Sequence, residues 1–258
     1  MFVILRRVLR PLCACLFLYA LACSMLHDTQ AQERDPTIFH ALGEMAGEVG
    51  MDSVILQSRL TASERLVDGD VPGVVGVARF EIADRENFEG ARFTDWLEAV
   101  PEKDFIVKAK VGGLQSGQRY FYRLIYGPDR EHTKTGEVCS LRTLQGKDKA
   151  AEVSFVVVTG MNYMSFHYGK LQQGMRTGVG AYQGNDKHLG YPALATMAEM
   201  KPDFFVGTGD NVYYDSHDDR EATDARGMRR KWHEQFVRQL REQKSNKRLA
   251  EHGLLLRR

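Results

Sequence analysis

The chain has 258 residues, 43% of them hydrophobic and 27% charged, balanced to a formal net charge of +1. That length admits one large domain or two modest ones, with enough apolar residues for a packed core. Acids and bases are interspersed, which argues against the broad basic surface that nucleic-acid binding needs and leaves enzymes and secreted binding modules as the open classes.

Arg6, Arg7 and Arg10 precede an apolar run from Leu12 to Leu26, after which the sequence turns polar. This is the pattern of a secretory signal. The run, about 15 residues, is short of the roughly 20 that a membrane-spanning helix needs. Small residues place cleavage after Ala22 or after Ala31. Cys23 follows a small residue and invites lipidation, but Ala20 stands where a larger aliphatic is usual. The expectation is a signal peptide over 1–31, removed without anchoring, and a product that is secreted, periplasmic or cell-surface associated, with no transmembrane span in the mature chain. Cys13, Cys15 and Cys23 lie in or beside that signal, so Cys139 alone is certain to remain. One thiol makes neither an internal disulfide nor a cysteine zinc site. Between Val138 and Ser140 in a strand pattern, Cys139 is expected to be a small buried hydrophobe.

From Asp35 to Gln145 the signals are short strands and turns. Strands are expected over Ser53–Leu60, Val74–Phe80 and Phe105–Val111, the last with Phe105, Val107 and Ala109 alternating against Lys108 and Lys110. The turn around Gly112–Gly117 leads into a strand that puts Tyr120 and Tyr122 on one face. A tyrosine entering a strand shortly after Leu114, with glycines between, resembles the tyrosine corner of fibronectin type III and immunoglobulin-like sandwiches, so both tyrosines are expected in the core rather than at a ligand. Gly136–Thr143 then closes a sandwich over 35–145.

Gln145-Gly146-Lys147-Asp148-Lys149 is the expected boundary, and the pattern changes class after it. Val153–Val158 is a nearly unbroken apolar run, expected as a strand buried on both faces of an α/β sheet. An irregular, glycine-rich stretch leads to a helix over Tyr191–Met200, with Pro192 in its first turn and Leu194, Met197 and Ala198 on one face. Lys201-Pro202 ends it, and Asp203–Gly207 begins a second buried strand. Ligands of such sheets gather beyond the carboxyl ends of the strands, so the loops 159–163 and 208–215 matter most.

Thr208-Gly209-Asp210-Asn211-Val212-Tyr213-Tyr214-Asp215 puts a carboxylate at the sheet's open end, with no side chain on Gly209 to crowd an ion. Spacing alone leaves Asp210 open as a bridging ligand of a two-metal site or as a loop cap. Asn162 could offer an amide oxygen to a hard cation, or stabilise its loop. Asp186-Lys187-His188 and Asp215–Asp219 read as polar turns. His167 and Lys170 are weak candidates for phosphate contact, and Trp232 and Phe236, four apart, are expected to pack a helix.

The segment Lys201–Asp215 resembles the helix end, strand and Gly-Asp-x-x-Tyr loop of PhoD-like alkaline phosphatases, within the calcineurin-like metallophosphoesterase superfamily. Gly47–Gly50, Arg59–Thr61 and Tyr120–Leu124 resemble that family's amino-terminal sandwich, and Arg230-Lys231-Trp232-His233 the helix after its metal loop, so the likeness runs from about Gly43 to Arg238. The resemblance implies an α+β multidomain fold: a fibronectin III-like β-sandwich, 35–145, followed by a partial α/β calcineurin-like metallophosphoesterase domain, 151–258. It implies an exported phosphatase acting on phosphate esters with two metal ions, iron and calcium or a similar pair. Asp210 would be the bridging metal ligand and Tyr213 a catalytic-site residue at the edge, while Asn162 is expected as a further metal ligand on its own chemistry alone. The chain departs from the family at Gly160, which fills the expected thiolate position. It also departs beyond the Asp210 loop and the Asp215–Asp219 turn, where only His233 and His252 follow and neither lies in an Asn-His or His-x-His motif. The expected reading is therefore a truncated or frameshifted catalytic half with little activity of its own. The rival is a non-catalytic secreted binding protein that keeps the sandwich and a vestigial metal loop.

If the arginine-flanked apolar run is a signal, the chain expressed in a bacterial host will leave the cytoplasm and begin after Ala22 or Ala31. N-terminal sequencing checks this, and a cytoplasmic product that still starts at Met1 would refute it.

Overall fold

The computed structural model describes residues 37–169, 180–187, 190–215, 221–241 and 254–256. The expected signal with its cysteines, Lys170, His188, residues 216–220 of the acidic turn, and His252 lie outside the described residues. Among the described residues, no helix is long and apolar enough to cross a membrane.

Nine strands build the sandwich. One sheet has the order β1 (Met45–Gly47), β2 (Val54–Arg59), β6 (Ile106–Val111), all antiparallel. The other is centred on β3 (Gly76–Ala83) and β7 (Arg119–Gly127), which pair from Val77↔Gly127 to Ala83↔Phe121. Around them lie β4 (Arg92–Phe93) and β5 (Leu97–Ala99) on β3, and β8 (Lys134–Thr135) and β9 (Cys139–Arg142) on β7. The period of two decides what each strand buries. Leu56 and Val107 from the first sheet meet Phe80, Tyr122, Leu124 and Leu141 from the second in one core cluster. Lys108 and Lys110 face water, as their alternation requires. Observed strands differ from expectation at their ends: the second begins at Gly76 rather than Val74, and Phe105 stands outside β6 in the left-handed region, at φ 58°.

The tyrosine corner is present. Tyr120 is buried, and its hydroxyl accepts from the Gln115 backbone N–H at 2.8 Å, satisfying a donor in the turn just after Leu114. Cys139 is buried in β9.

After Arg142 the strands become parallel. β10 (Phe155–Val158), β11 (Phe204–Gly207) and β12 (Leu254–Leu256) form a sheet in that order, with Phe155↔Phe204 through Val158↔Gly207 in register. Three helices accompany it: α1 (Tyr163–Tyr168), α2 (Pro192–Glu199) and α3 (Ala225–Arg241). Two expectations need correction. β10 is not buried on both faces: Phe155 is 61% and Val157 54% exposed, because β10 is the edge of its sheet and one of its faces is uncovered. The stretch after the first strand is not wholly irregular either. It opens with α1, whose start is capped by the Asn162 side chain and whose end turns at Gly169, φ 63°.

α3 is seated on the sandwich by polar groups more than by oil. Of its apolar residues, Val237 packs with Ala41 and Val71 in a small second core. Beside it His233, 3% exposed, lies between two sandwich carboxylates, with Nδ1 2.7 Å from Asp70 Oδ1 and Nε2 2.8 Å from Asp104 Oδ2. A ring donating from both nitrogens is an imidazolium. Buried Arg59 completes the cluster: its guanidinium donates to Asp104 Oδ1 (3.1 Å), the Asp104 carbonyl (2.9 Å) and the Val71 carbonyl (2.8 Å). Burial pushes the Asp104 carboxyl up, but the His233 hydrogen bond and the charges of Arg59 and His233 outweigh it and hold Asp104 below its ordinary value of 3.8.

Tyr120→Phe leaves the Gln115 N–H without its acceptor and should cost about 1–2 kcal/mol, read as a lower denaturation midpoint at unchanged slope. For Asp104 the folded value is depressed, so its contribution is complete above about pH 3.8 and is lost as pH falls through the folded value, below 3.8. Asp104→Asn should therefore be less stable than wild type at neutral pH. Its stability should fall less steeply below pH 3.8, as checked by urea unfolding across the acid range.

Candidate metal-loop site

Parallel pairing of β10 with β11 brings the two loops expected from sequence to one edge, and backbone hydrogen bonds stitch them together. Thr208 N–H donates to the Val158 carbonyl (3.0 Å) and Met161 N–H to the Asp210 carbonyl (3.0 Å), while the Thr159 hydroxyl donates to the Gly209 carbonyl (3.1 Å). The turn after β11 needs its glycines. Gly209 sits at φ 140°, closed to residues with a Cβ, and a Cβ on Gly207 would fall 2.7 Å from Asn211 Oδ1. Asp210 follows in the left-handed region at φ 52°, which aspartate tolerates better than most residues.

The Asp210 side chain is exposed at the end of the sheet, and its Oδ2 accepts from the Tyr213 hydroxyl at 3.0 Å. Partial burial, then the hydrogen bond and charge of Asp210 and the charge of Asp215, push the Tyr213 phenol above its ordinary value. Tyr213 is thus held as a neutral donor beside the carboxylate. Asn162 is in the facing loop, but its Oδ1 accepts from the Ser165 N–H at 2.8 Å, the bond of a helix N-cap. That bond serves the loop-stabilising role that spacing left open.

Other candidates fall away from chemistry. His167 is buried in α1 against Tyr163, with ring centroids 4.2 Å apart. Asp186 accepts from the Tyr182 hydroxyl (2.9 Å), and Lys187 Nζ donates to the His167 carbonyl (2.8 Å), so both brace the segment after α1. Trp232 and Phe236 pair along α3 at 4.5 Å. Among the described residues, no group of three or more His, Cys, Asp or Glu side chains is arranged to hold a metal.

Two groups that sequence reasoning passed over border the loops. Asn211 Oδ1 is buried without a hydrogen-bond partner, next to Asp210 in the chain. Its adjacency to the Gly-Asp pair was the available signal. Tyr191, the residue before α2, packs on Phe166 of α1 at 4.6 Å and shares a hydrogen bond with Gln235 of α3, Nε2 to hydroxyl 3.2 Å. Nothing local in sequence joins those three.

The described residues thus form an antiparallel β-sandwich leading into parallel strands with a Gly-Asp loop at their carboxyl ends. Residues 25–145 match the family model described as PhoD-like phosphatase, N-terminal domain. Its fold is similar to a solved structure of PhoD, at TM-score 0.59 and 19% identity over 84% of this chain and 38% of that one. It is also similar to a purple acid phosphatase from yellow lupin (Lupinus luteus) seeds, at TM-score 0.43 and 11% identity over 86% of this chain and 35% of that one. A third similarity is to the fibronectin type III domain of a human protein, at TM-score 0.29 and 13% identity over 48% and 99%. The chain therefore spans 38% of the length of the PhoD structure it matches. No curated protein sequence matches it.

Proposed function

We propose that this chain is part of an exported, metal-dependent phosphatase that hydrolyses phosphate esters, with the Asp210 loop as one wall of its metal centre. The observation that carries the reading is the Asp210 carboxylate. It is exposed at the carboxyl end of a parallel strand, behind a glycine that has no Cβ, in a chain whose sandwich matches the model of the PhoD-like phosphatase N-terminal domain.

The donor set fits a hard cation at this loop: an exposed carboxylate, with the unpartnered Asn211 oxygen beside it in the chain. Asp210 would hold the metal ions, an iron and calcium pair by likeness to the family, and Tyr213 would orient the carboxylate through its hydroxyl. Bound metal in such a centre neutralises phosphate charge and makes water a competent nucleophile near neutral pH. Tyr213 itself is placed to donate a hydrogen bond, not to accept a proton, because it stays a phenol. Asn162, committed to its helix, positions the facing loop. A second reading, a secreted binding protein with a vestigial loop, draws on that same use of Asn162 as a cap.

Metal content decides between them and does not depend on turnover. The purified chain should carry bound iron or calcium, and Asp210→Asn should lose it with an unchanged circular dichroism spectrum. Where a phosphate ester is turned over, the same variant should fall by at least about a hundredfold, since an amide does not replace a bridging charge. Retention of metal and turnover in Asp210→Asn would return that residue to a loop cap.

A further inference from the structure

We propose that Gln235 is a positioning residue for the candidate site, holding the Tyr191 hydroxyl so that the two loops stay assembled. This deepens the phosphatase reading and rests on it only for the meaning of the site. Gln235 is 1% exposed and sits on α3 two residues beyond His233, whose clasp between Asp70 and Asp104 fixes the helix on the sandwich. Its amide meets the Tyr191 hydroxyl with Nε2 at 3.2 Å and Oε1 at 3.4 Å. A buried amide and a half-buried phenol satisfy each other there, and the amide would be costly to leave alone.

Tyr191 then reaches the site by packing. Its ring lies on Phe166, centroids 4.6 Å apart, and Phe166 is held on a second side by Tyr182, stacked at 5.1 Å. Phe166 belongs to α1, whose cap is Asn162, and Met161, just before that cap, donates to the Asp210 carbonyl. The path from the sandwich to the metal loop is therefore continuous: carboxylates, His233, α3, Gln235, Tyr191, Phe166 and α1, then Met161 and the Asp210 carbonyl. A contiguous path becomes a coupling only when a perturbation at one end is felt at the other.

Amide hydrogen exchange on the metal-free 258-residue chain supplies that test. Gln235→Leu should speed exchange of the Met161 and Ser165 amides roughly tenfold, while amides of the β2–β6 ladder stay as in wild type. Gln235→Glu, which keeps an acceptor for the hydroxyl, should return them to within about threefold. Tyr191→Phe keeps the ring but removes the hydroxyl, and should reproduce the leucine variant, so the proposal stays falsifiable even if one variant folds poorly. Tyr191→Phe leaves α3 untouched, so faster exchange in that variant separates loss of the hydrogen bond from a general defect in the helix. Unchanged Met161 and Ser165 exchange in both variants would overturn the proposal. Because no metal is added, that failure is distinct from failure of the phosphatase reading, which metal content decides.

Discussion

Asp70 and Asp104 on either side of one imidazole hold α3 against the sandwich, and the contacts α3 makes further along depend on that seat. Four groups share the cluster: Arg59 and His233 as cations, Asp70 and Asp104 as anions. Burying any one alone would cost several kcal/mol, but together their formal charges sum to zero and their donors and acceptors meet. The apolar contact beside them is small, built on Ala41, Val71 and Val237. Apolar contact of that size is tolerant of rotation and sliding, whereas a ring bonded at both nitrogens is not. The backbone shows the same constraint from the other side: Asp104 and Phe105 are successive left-handed residues, at φ 54° and 58°. An aromatic residue is held there only when its surroundings over-determine it, and here the Asp104 carbonyl and carboxylate are both taken by Arg59.

What was legible in the sequence was whatever repeats at short range. Alternation marked β2, β3, β6 and β7 to within a few residues, the Leu114–Tyr120 spacing marked the corner hydrogen bond, and Pro192 marked the start of α2. β10 shows the limit of such reading. An unbroken apolar run says that a strand is apolar on both faces, not that both faces are covered, and coverage is decided by elements far away in the chain. The clasp was illegible for the same reason. His233 is 163 residues from Asp70 and 129 from Asp104, and no local pattern distinguishes it from a surface histidine on a basic helix.

The candidate site divides along the same line. Gly209-Asp210 was visible because the turn calls for glycine at 209 and the proposed chemistry for a carboxylate beside it. Asn162 was visible as a polar residue at the end of a strand, but its function turned on whether a helix followed. α1 is only six residues long, too short for periodicity to announce it. Once the helix is there, the amide oxygen has a partner in Ser165, and the amino end of a helix, bearing a partial positive charge, is a poor neighbour for a cation. Those two facts favour the cap over the ligand without any appeal to relatives.

Asp210 is the reverse case, because its structural work is done by the main chain. The left-handed turn needs a residue that tolerates φ 52°, and the stitch between the loops uses the Asp210 carbonyl, which accepts from Met161. Asparagine or glycine would serve both purposes as well as aspartate. The carboxylate adds a hydrogen bond from Tyr213, and that phenol would donate to an amide oxygen nearly as readily. Among the described residues nothing requires a negative charge at this position, and an exposed one gains little from a neutral donor. Set at the open end of a parallel sheet behind a glycine, that charge is the one the proposed metal centre would use.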